Sequence, residues 1–243
     1  MAWRSSAATN TGLIENLWRN KLITDQRVKE AFLKVDRAHY APTSPYDDSP
    51  KPIGHRATIS APHMHASAVE NLLPFILPTA VRPAPRVLDI GSGSGYLTHV
   101  LAELVGSEGG VVVGLEHIPE LRDLGARNMA KSAEGRAFLE SGRARFRLGD
   151  GRRGWTEPTD GDGGEEEGEG WDAIHVGASA VEVHPELLAQ LRSPGRMFIP
   201  VDDEGGHDEG QHIWCVDKDE AGKVTRRKLF GVRYVPLTDA PVG

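Results

Sequence analysis

An alternation of strand and helix patterns, which begins at residue 86, constrains the fold of this chain more than any other feature. The apolar strand pattern RVLDIG over 86–91 passes through a glycine turn into the helical pattern YLTHVLAELVG over 96–106. Further strand patterns occupy 111–117, 144–151, 171–179 and 196–201, and helix patterns occupy 120–132 and 185–191. Strands that alternate with helices in this way predict a doubly wound, Rossmann-like α/β sheet, parallel in its core and with helices on both faces.

The segments on either side of this alternation predict additions to the sheet. Upstream, amphipathic patterns over 13–23 and 24–35 predict an N-terminal helical extension, in which Thr24 is the expected N-cap of the second helix. Residues 37–54 are dense in Pro, Ser and Asp, so irregular structure on the surface is expected there. Downstream, residues 211–239 contain two strand patterns around a DKDEAG turn, which predicts antiparallel strands at the C-terminal edge of the sheet.

The negative charge of the chain is concentrated in one segment. The formal net charge is −7, and residues 155–170 hold seven acidic side chains and no basic one, so the remainder is formally neutral. Because the remainder has no basic stripe that could follow a phosphate backbone, nucleic acid is not an expected partner. Glycine and like charge together disfavour ordering, which predicts a mobile surface loop over about 157–170, with an acidic docking segment as the alternative.

Cysteine content and hydropathy bear on the compartment in which the chain works. Cys215 is the only cysteine, which excludes an internal disulfide and suits a reducing compartment. The N-terminal sequence MAWRSSAATN lacks the apolar segment of a secretory signal, and the apolar run over 72–81 is too short to span a bilayer. We therefore expect a cytoplasmic protein without a membrane partner. No pattern resembles a dimer seam, so a monomer is expected.

The glycine turn after the first strand of the alternation predicts a ligand site. In LDIGSGSGYLT, residues 88–98, the third glycine is Gly95, one residue earlier than a dinucleotide fingerprint requires. Asp89 at the end of the strand would repel a pyrophosphate. The same carboxylate suits a cationic cofactor without phosphates, and S-adenosyl-L-methionine is such a molecule.

Acidic residues also end the next two strands. Glu116 is placed to accept hydrogen bonds from the ribose hydroxyls of such a cofactor. Asp150 is placed to meet an adenine amino group, and Gly151 would let the backbone approach the ring, although a D-G pair is also common in turns.

The stretch TISAPHMHA over 58–66 contains more hydroxyl and imidazole groups than is usual for a linker. His63 and His65 form an H-x-H pair, but no cysteine or HExxH helix completes a zinc site, so no metal is expected. Ser60 is a candidate nucleophile of a Ser-His-acid hydrolase, but the stretch lacks the G-x-S-x-G turn of that class. For His63, packing within a turn is the favoured interpretation.

Several motifs together indicate a family. The chain resembles the protein-L-isoaspartate (D-aspartate) O-methyltransferases in MAW, DRAHYAP, ATISAPHMHA, LDIGSGSGYLT, GDGR, WDAIHVGA and YVPLTD, which are spread over nearly the whole chain. TISAPHMHA is specific to this family, whereas the glycine turn is shared by methyltransferases generally. The resemblance implies a class I methyltransferase sheet. It also implies methyl transfer from S-adenosyl-L-methionine to the free carboxylate of L-isoaspartyl, and of D-aspartyl, residues in damaged proteins and peptides.

The resemblance assigns roles to particular residues. It makes Ser60 the active-site residue, whose hydroxyl orients the substrate carboxylate beside the methyl group. The cofactor-binding residues that it implies are Ala57, Thr58, Ile59, Ser60, His65, Asp89, Gly91, Gly93, Glu116, His117, Asp150, Gly151 and Thr238. An isoaspartyl carboxyl has a reference pKa of about 4, so it is anionic at neutral pH and needs no general base. The enzyme's expected contribution is to align oxygen, methyl and sulfur in a site cleared of water.

These expectations combine into one methyltransferase domain over 1–243. It contains a helical cap over 1–57, an active-site loop over 58–66, a nucleotide-binding core over 85–201 and C-terminal strands over 211–239. Two alternatives remain open. One is a nicotinamide dehydrogenase on the same fold, which the position of Gly95 and the charge of Asp89 disfavour. The other is a cofactor-binding adaptor without catalysis, which acts through the acidic segment.

Overall fold

The computed structural model describes residues 5–106, 109–157, 170–203 and 210–237, and its helices and strands are numbered here in chain order within those ranges. The strands are β1 Lys51–Gly54, β2 Ala57–Ile59, β3 Arg86–Ile90, β4 Val111–Glu116, β5 Ala144–Leu148, β6 Trp171–Val176, β7 Leu191–Asp202, β8 Gln211–Lys218 and β9 Val224–Val232. The α-helices are α1 Asn10–Arg19, α2 Gln26–Lys34, α3 Pro62–Ile76, α4 Tyr96–Leu104, α5 Pro119–Met129, α6 Ala133–Glu140 and α7 Pro185–Gln190.

The central sheet has the strand order β5-β4-β3-β6-β7-β8-β9. Neighbouring strands are parallel from β5 across to β7, and β8 and β9 are added antiparallel. The predicted doubly wound sheet and the predicted antiparallel edge are both confirmed. Chain order reverses at β3, which lies between β4 and β6. The carboxyl ends of the strands at such a reversal form the usual ligand crevice of this fold.

Both faces of the inner parallel strands β3, β4 and β6 are covered, which explains their nearly continuous apolar sequences. Val87 of β3 packs in a cluster that contains residues of α1 to α5, whereas the next residue, Leu88, packs on the other face with Leu187 of α7. Successive side chains of a strand point to opposite faces, so a strand buried on both faces has no polar alternation. The predicted helices on both faces are therefore confirmed.

The predicted N-terminal helical extension is also confirmed, but the predicted N-cap of its second helix, α2, was wrong. α2 begins at Gln26, and its N-cap is Asp25, whose carboxylate accepts a hydrogen bond from the Arg27 backbone N–H at 2.8 Å. Thr24 is not the cap, because its hydroxyl donates to the Glu70 carboxylate of α3 at 2.7 Å. This contact ties the start of α2 to α3.

The prediction of irregular surface structure over 37–54 was wrong in part. Arg37–His39 form a short 3-10 helix, and β1 occupies the end of the segment. Arg37 and Tyr40 are buried, and the carboxylate of Asp48 is buried as well. The buried side chains of this otherwise largely accessible segment contact residues of α3 and α4.

A loop was predicted over 58–66, and this prediction was wrong. β2 ends at Ile59 and α3 begins at Pro62, so only Ser60 and Ala61 connect the strand to the helix. Proline suits the first turn of a helix, where its missing N–H would have no intrahelical partner. Ser60 is therefore held between two ordered elements.

The sequence patterns did not predict helix α6, which follows α5 after a short connection. Of the acidic loop predicted over about 157–170, only the two end residues, Glu157 and Gly170, lie within the described ranges. Among the described residues, no helix combines the length and the apolar character needed to cross a membrane. The same residues contain no group of three or more His, Cys, Asp or Glu side chains arranged to hold a metal ion.

Candidate active site

The turn between β3 and α4 depends on glycine. Gly91, Gly93 and Gly95 have φ values of 73°, 49° and 82°, in the left-handed region that other residues disfavour. A Cβ atom at Gly95 would lie 2.9 Å from the Cα of Gly125 in α5. The turn therefore runs close against α5, and its backbone is free to approach a ligand at the carboxyl ends of β3 and β4.

A cavity of about 430 Å³ opens at this edge of the sheet, a volume suited to a small-molecule ligand. It is bounded by the glycine turn, the end of β4, the start of α5, the turn of the β1–β2 hairpin and the segment Val235–Leu237. The predicted cofactor-binding residues that line it are Ala57, Thr58, Gly91, Gly93, Glu116, His117 and Gly151.

Glu116 is fixed in the wall of this cavity by backbone donors. One carboxylate oxygen accepts from the Gly93 N–H at 3.0 Å, and the other accepts from the backbone N–H groups of His117 and Ile118 at 2.8 and 3.2 Å. Burial alone would raise the pKa of Glu116, but hydrogen bonds from the His117 side chain and from these backbone groups bring the pKa below its usual value. Glu116 is thus ionised, and its oxygens can accept further hydrogen bonds from ligand hydroxyls.

Asp89 lies deeper than its place at the end of a strand suggested. Its side chain is 1% exposed. One oxygen accepts from the Thr98 hydroxyl at 2.6 Å, and the other lies 2.8 Å from Nδ1 of His175. Asp89 and His175 are register partners on the adjacent strands β3 and β6, which brings the two side chains together. Asp89 consequently lines a small inner chamber rather than the large cavity.

The inner chamber has a volume of about 30 Å³ and lies behind the glycine turn. Side chains of Ser60, His65, Asp89, Tyr96 and His175 are among those that line it. It adjoins the large cavity, since both are lined by Thr58, Gly91, Gly93 and Gly177. Ser92 Oγ and the Tyr96 hydroxyl are buried and have no hydrogen-bond partner among the described residues. The chamber therefore suits a small polar group.

Ser60 has neighbours on both its backbone and its side chain. Its carbonyl oxygen accepts a hydrogen bond from Nη2 of Arg37 at 2.8 Å. Its side chain lies near the hydroxyl of Tyr234, which follows β9, and lowers the pKa of that hydroxyl against the effect of burial. Burial raises the pKa of Tyr234 to about 12, so this hydroxyl stays protonated at neutral pH. Ser60 therefore lies where the β1–β2 hairpin, α3 and the C-terminal segment meet.

The two histidines at the start of α3 have different environments. His65 is 7% exposed, and burial together with the Arg37 charge holds its pKa well below the usual value, so the ring is neutral. His63 instead places Nδ1 2.7 Å from the Asp48 carboxylate. It belongs to the first turn of a helix, so the interpretation of His63 as a turn residue was wrong. The two rings do not converge on one ligand position, because each has a different partner.

Asp150 and Ile59, like Ser60, His65 and Asp89, do not line the large cavity. The Asp150 carboxylate is engaged by the side chain and backbone of its neighbour Arg152, and these hydrogen bonds, with burial acting in the opposite sense, lower the pKa of Asp150. Ile59 is buried and lines only the inner chamber. Thr238 lies outside the described residues.

Several residues at the site were not predicted to belong to it. His55, Arg56, Leu121 and Leu237 line the large cavity, and His175 lines the inner chamber. The motif WDAIHVGA contains His175, and YVPLTD contains Leu237. Both motifs supported the family resemblance, but neither residue was assigned a role. His55 and Arg56 directly precede Ala57, and no sequence pattern indicated that they belong to the site.

Known proteins match this chain over almost its full length. A model of the Protein-L-isoaspartate(D-aspartate) O-methyltransferase (PCMT) family matches residues 8–241. The chain belongs to this family. Among isoaspartate O-methyltransferases, that of Caenorhabditis elegans is 42% identical over 238 residues, covering 98% of this chain and 96% of the relative. That of Triticum aestivum is 42% identical over 235 residues, covering 96% and 93%.

A solved member of the PCMT family has the same fold. The structure of a β-aspartate methyltransferase (PCMT) from Plasmodium falciparum, in complex with S-adenosyl-L-homocysteine, has a TM-score of 0.81 and 30% identity to this chain. It covers 96% of this chain and 99% of its own. The resemblance to the isoaspartate methyltransferases and the predicted Rossmann-like fold are thereby confirmed.

Proposed function

We propose that this chain methylates the free carboxylate of L-isoaspartyl residues, and of D-aspartyl residues, in damaged proteins and peptides. The methyl donor is S-adenosyl-L-methionine, and the methyl ester starts the conversion of the damaged residue back to an aspartyl residue. The observation that carries the proposal is the junction of a cofactor-sized cavity with a polar chamber at Ser60, in a member of the PCMT family.

The residues of the large cavity fit this cofactor. Glu116 presents an ionised carboxylate whose oxygens suit ribose hydroxyls. Gly151 lines the cavity where a side chain could not, because a Cβ would lie 2.4 Å from Ile90 Cγ2. Ile118, Leu121 and Leu237 supply an apolar wall for a planar ring. When bound, the cofactor supplies a methyl group on a positively charged sulfur.

The charges around the inner chamber fit a cationic donor. Asp89 is buried, and its partners are the neutral Thr98 hydroxyl and the His175 ring. The structure therefore keeps a carboxylate beneath the glycine turn, close to the passage that joins chamber and cavity. A carboxylate in a site of low dielectric favours a nearby positive charge much more than it would in water.

On the acceptor side, the residues present suit orientation rather than proton transfer. The acceptor carboxylate is already anionic at neutral pH. His65 is buried and neutral, with its Nδ1 turned to Arg37. Ser60 lines the chamber, and its backbone is fixed by the Arg37 contact to its carbonyl. These groups hold an oxygen nucleophile in place, and alignment is the main contribution that such a displacement requires.

The proposal extends to partners and location. The substrates are isoaspartyl-containing proteins and peptides, and we propose a monomer in the cytoplasm that binds neither nucleic acid nor membrane. The buried free thiol of Cys215 supports a reducing compartment. The balanced charge of the chain outside residues 155–170 supports the absence of a nucleic-acid partner. Light scattering after size-exclusion chromatography tests the monomer.

A peptide assay tests the activity directly. The protein is incubated with methyl-labelled S-adenosyl-L-methionine and an isoaspartyl peptide, beside the same peptide with an ordinary aspartyl residue. We expect base-labile label on the isoaspartyl peptide alone. Label on neither peptide would support the non-catalytic adaptor, and equal label on both would remove the claim of specificity.

A thermal-shift measurement separates the proposal from the dehydrogenase alternative. S-adenosyl-L-homocysteine should raise the melting temperature, because a ligand that binds only the folded state stabilises it. NADH at the same concentration should leave the melting temperature unchanged. The reverse pattern would favour the dehydrogenase.

A further inference from the structure

Arg37 is a buried cation beside Ser60 to which neither the motifs nor the proposed function assigns a role of its own. Its side chain is 0% exposed, at the start of the 3-10 helix that follows α2. The guanidinium carbon lies 5.1 Å from the ring centroid of Tyr96, which lines the inner chamber. Burial lowers the pKa of Arg37 to about 10, so the side chain remains charged at neutral pH.

The contacts of Arg37 leave its charge without a carboxylate partner among the described residues. Nη2 donates to the Ser60 carbonyl at 2.8 Å, and Nη1 lies 3.5 Å from Nδ1 of the neutral His65. Nε has no hydrogen-bond partner in the part of the chain that the structure describes. Asp48 acts on Arg37 through its electric field, but the hydrogen bonds that its Oδ1 accepts come from His63. A buried cation with no directly bound carboxylate is stabilised further when another anion comes near.

The proposed reaction brings an anion to the residue that Arg37 touches. The acceptor carboxylate oxygen forms a bond to the methyl carbon while the methyl–sulfur bond breaks and its electron pair moves to sulfur. The acceptor is therefore negative before transfer and neutral afterwards. A fixed positive charge behind Ser60 favours the carboxylate substrate over the methyl ester product.

We propose that Arg37 is a positioning residue that makes the acceptor site at Ser60 selective for an anion. It holds the Ser60 backbone through the carbonyl, and it supplies the charge that attracts a free carboxylate and disfavours its neutral ester. Tight binding of substrate and release of product then depend on the same side chain. The inference rests on the proposed function, since it concerns the acceptor of that reaction.

Binding of two peptides to the complex of the protein with S-adenosyl-L-homocysteine tests this role. One peptide carries an isoaspartyl residue with its free carboxylate, and the other carries the carboxamide at the same position. The bound product has no charge on sulfur, so the sulfur cannot create a preference for the anion. Calorimetric titration of both peptides then reports the selectivity of the protein alone.

For the wild-type protein we expect the carboxylate peptide to bind at least about tenfold more tightly than the carboxamide peptide. Arg37→Gln keeps a donor for the Ser60 carbonyl but removes the charge, and it should reduce this ratio to below about threefold. Its affinity for S-adenosyl-L-homocysteine should stay within about twofold of wild type. Arg37→Lys keeps the charge and should keep most of the preference.

Arg136→Gln is the matched control. Arg136 also donates from its guanidinium to a backbone carbonyl at 2.8 Å, that of Ala130, but it is exposed on α6. This variant should bind both peptides as the wild type does. A loss of preference in Arg136→Gln equal to that in Arg37→Gln would overturn the assignment.

The remaining outcomes also decide the question. A folded Arg37→Gln protein that keeps the wild-type preference shows that Arg37 only supports the backbone, and the proposal fails. If Arg37→Gln does not fold, the wild type decides, because equal binding of the two peptides overturns the proposal and a tenfold preference that Arg37→Lys retains supports it. Failure of the proposed function is distinct, since it appears as absence of methyl ester in the wild-type assay.

Discussion

Asp89 and Glu116 are carboxylates at or near the ends of neighbouring parallel strands, and the structure gives them different surroundings. Glu116 faces the large cavity and accepts three backbone hydrogen bonds there. Asp89 faces the inner chamber and is held by Thr98 and His175. Glu116 therefore shapes the cavity wall itself, whereas Asp89 acts through its charge from behind the glycine turn.

Replacement of Glu116 by alanine should weaken cofactor binding strongly. Three backbone N–H groups would lose their acceptor, and a ligand would lose the carboxylate that meets its hydroxyls. We expect the dissociation constant for S-adenosyl-L-homocysteine to rise at least about thirtyfold by calorimetry. Glu120→Ala, at an exposed position in the first turn of α5, is the control and should bind normally. An affinity near wild type for Glu116→Ala would place the ribose elsewhere.

Ser60→Ala should lower turnover more than cofactor affinity. The Ser60 hydroxyl lies at the inner chamber, whereas most of the cofactor's contact surface is in the adjoining cavity. We expect kcat with an isoaspartyl peptide to fall about tenfold to hundredfold, with little change in affinity for S-adenosyl-L-homocysteine. Tyr234→Phe keeps Ser60 but removes the hydroxyl that lies near it, and should have a smaller effect in the same direction. Weakened cofactor binding at unchanged kcat would assign Ser60 to the donor side instead.

For single residues, the sequence predicted the position of a side chain in the fold better than it predicted the burial and the partners of that side chain. Glu116 was placed correctly at the end of β4, because an acid that ends a parallel strand lies at the ligand edge. The burial of Asp89 could not be predicted, because it depends on His175, which is 86 residues away in the chain. Strand pairing brings the two together, and no local pattern carries that information.

Among the elements, the glycine turn packs closely against the backbone of α5. Gly95→Ala would place a Cβ 2.9 Å from the Gly125 backbone and force a side chain into the left-handed region at φ 82°. We expect a loss of about 2–4 kcal/mol in the free energy of unfolding, measured by urea denaturation. Gly142→Ala is the control, because it shares a positive φ of 71° but its Cβ would meet only the Arg145 side chain at 3.6 Å. Equal losses in the two variants would show that contact with α5 is not the cause.

The elements that the sequence predicted are those with strong local patterns. β3, β4 and β6 are buried on both faces and so have nearly continuous apolar sequences. The β1–β2 hairpin was missed because its strands have only four and three residues and little apolar character. Its turn residues His55 and Arg56 both have positive φ, at 49° and 58°, where a glycine would usually signal a hairpin.

For the molecule as a whole, buried histidines predict loss of stability in mild acid. Burial, with smaller contributions from neighbouring charges, lowers the pKa of His65 well below its usual value and that of His99 to about 4. Both groups would bind protons near pH 6.5 in the unfolded chain, so the unfolded state takes up more protons as the pH falls. The stability that they contribute is present above pH 6.5 and is lost progressively as the pH decreases towards 4.

Urea denaturation at pH 7, 6 and 5 measures this effect. We expect the free energy of unfolding to fall by up to about 1.4 kcal/mol per pH unit for each of the two histidines. In His99→Gln the slope should decrease by one histidine's share, even if the variant is less stable at pH 7 because the Tyr40 hydroxyl loses its present acceptor. An unchanged slope in His99→Gln would remove His99 as a source.

Ser60 and Tyr234 lie close together although they are far apart in the chain, and this has a consequence during synthesis on the ribosome. The strands from β3 to β7, which carry the glycine turn and Glu116, emerge well before Tyr234 and Leu237 do. A nascent or proteolytically clipped chain that ends before Tyr234 would have the glycine turn and Glu116 but an open, unsupported Ser60. Because it would also lack Val235–Leu237, which line the large cavity, such a chain would bind the methyl donor poorly as well as fail to modify a peptide.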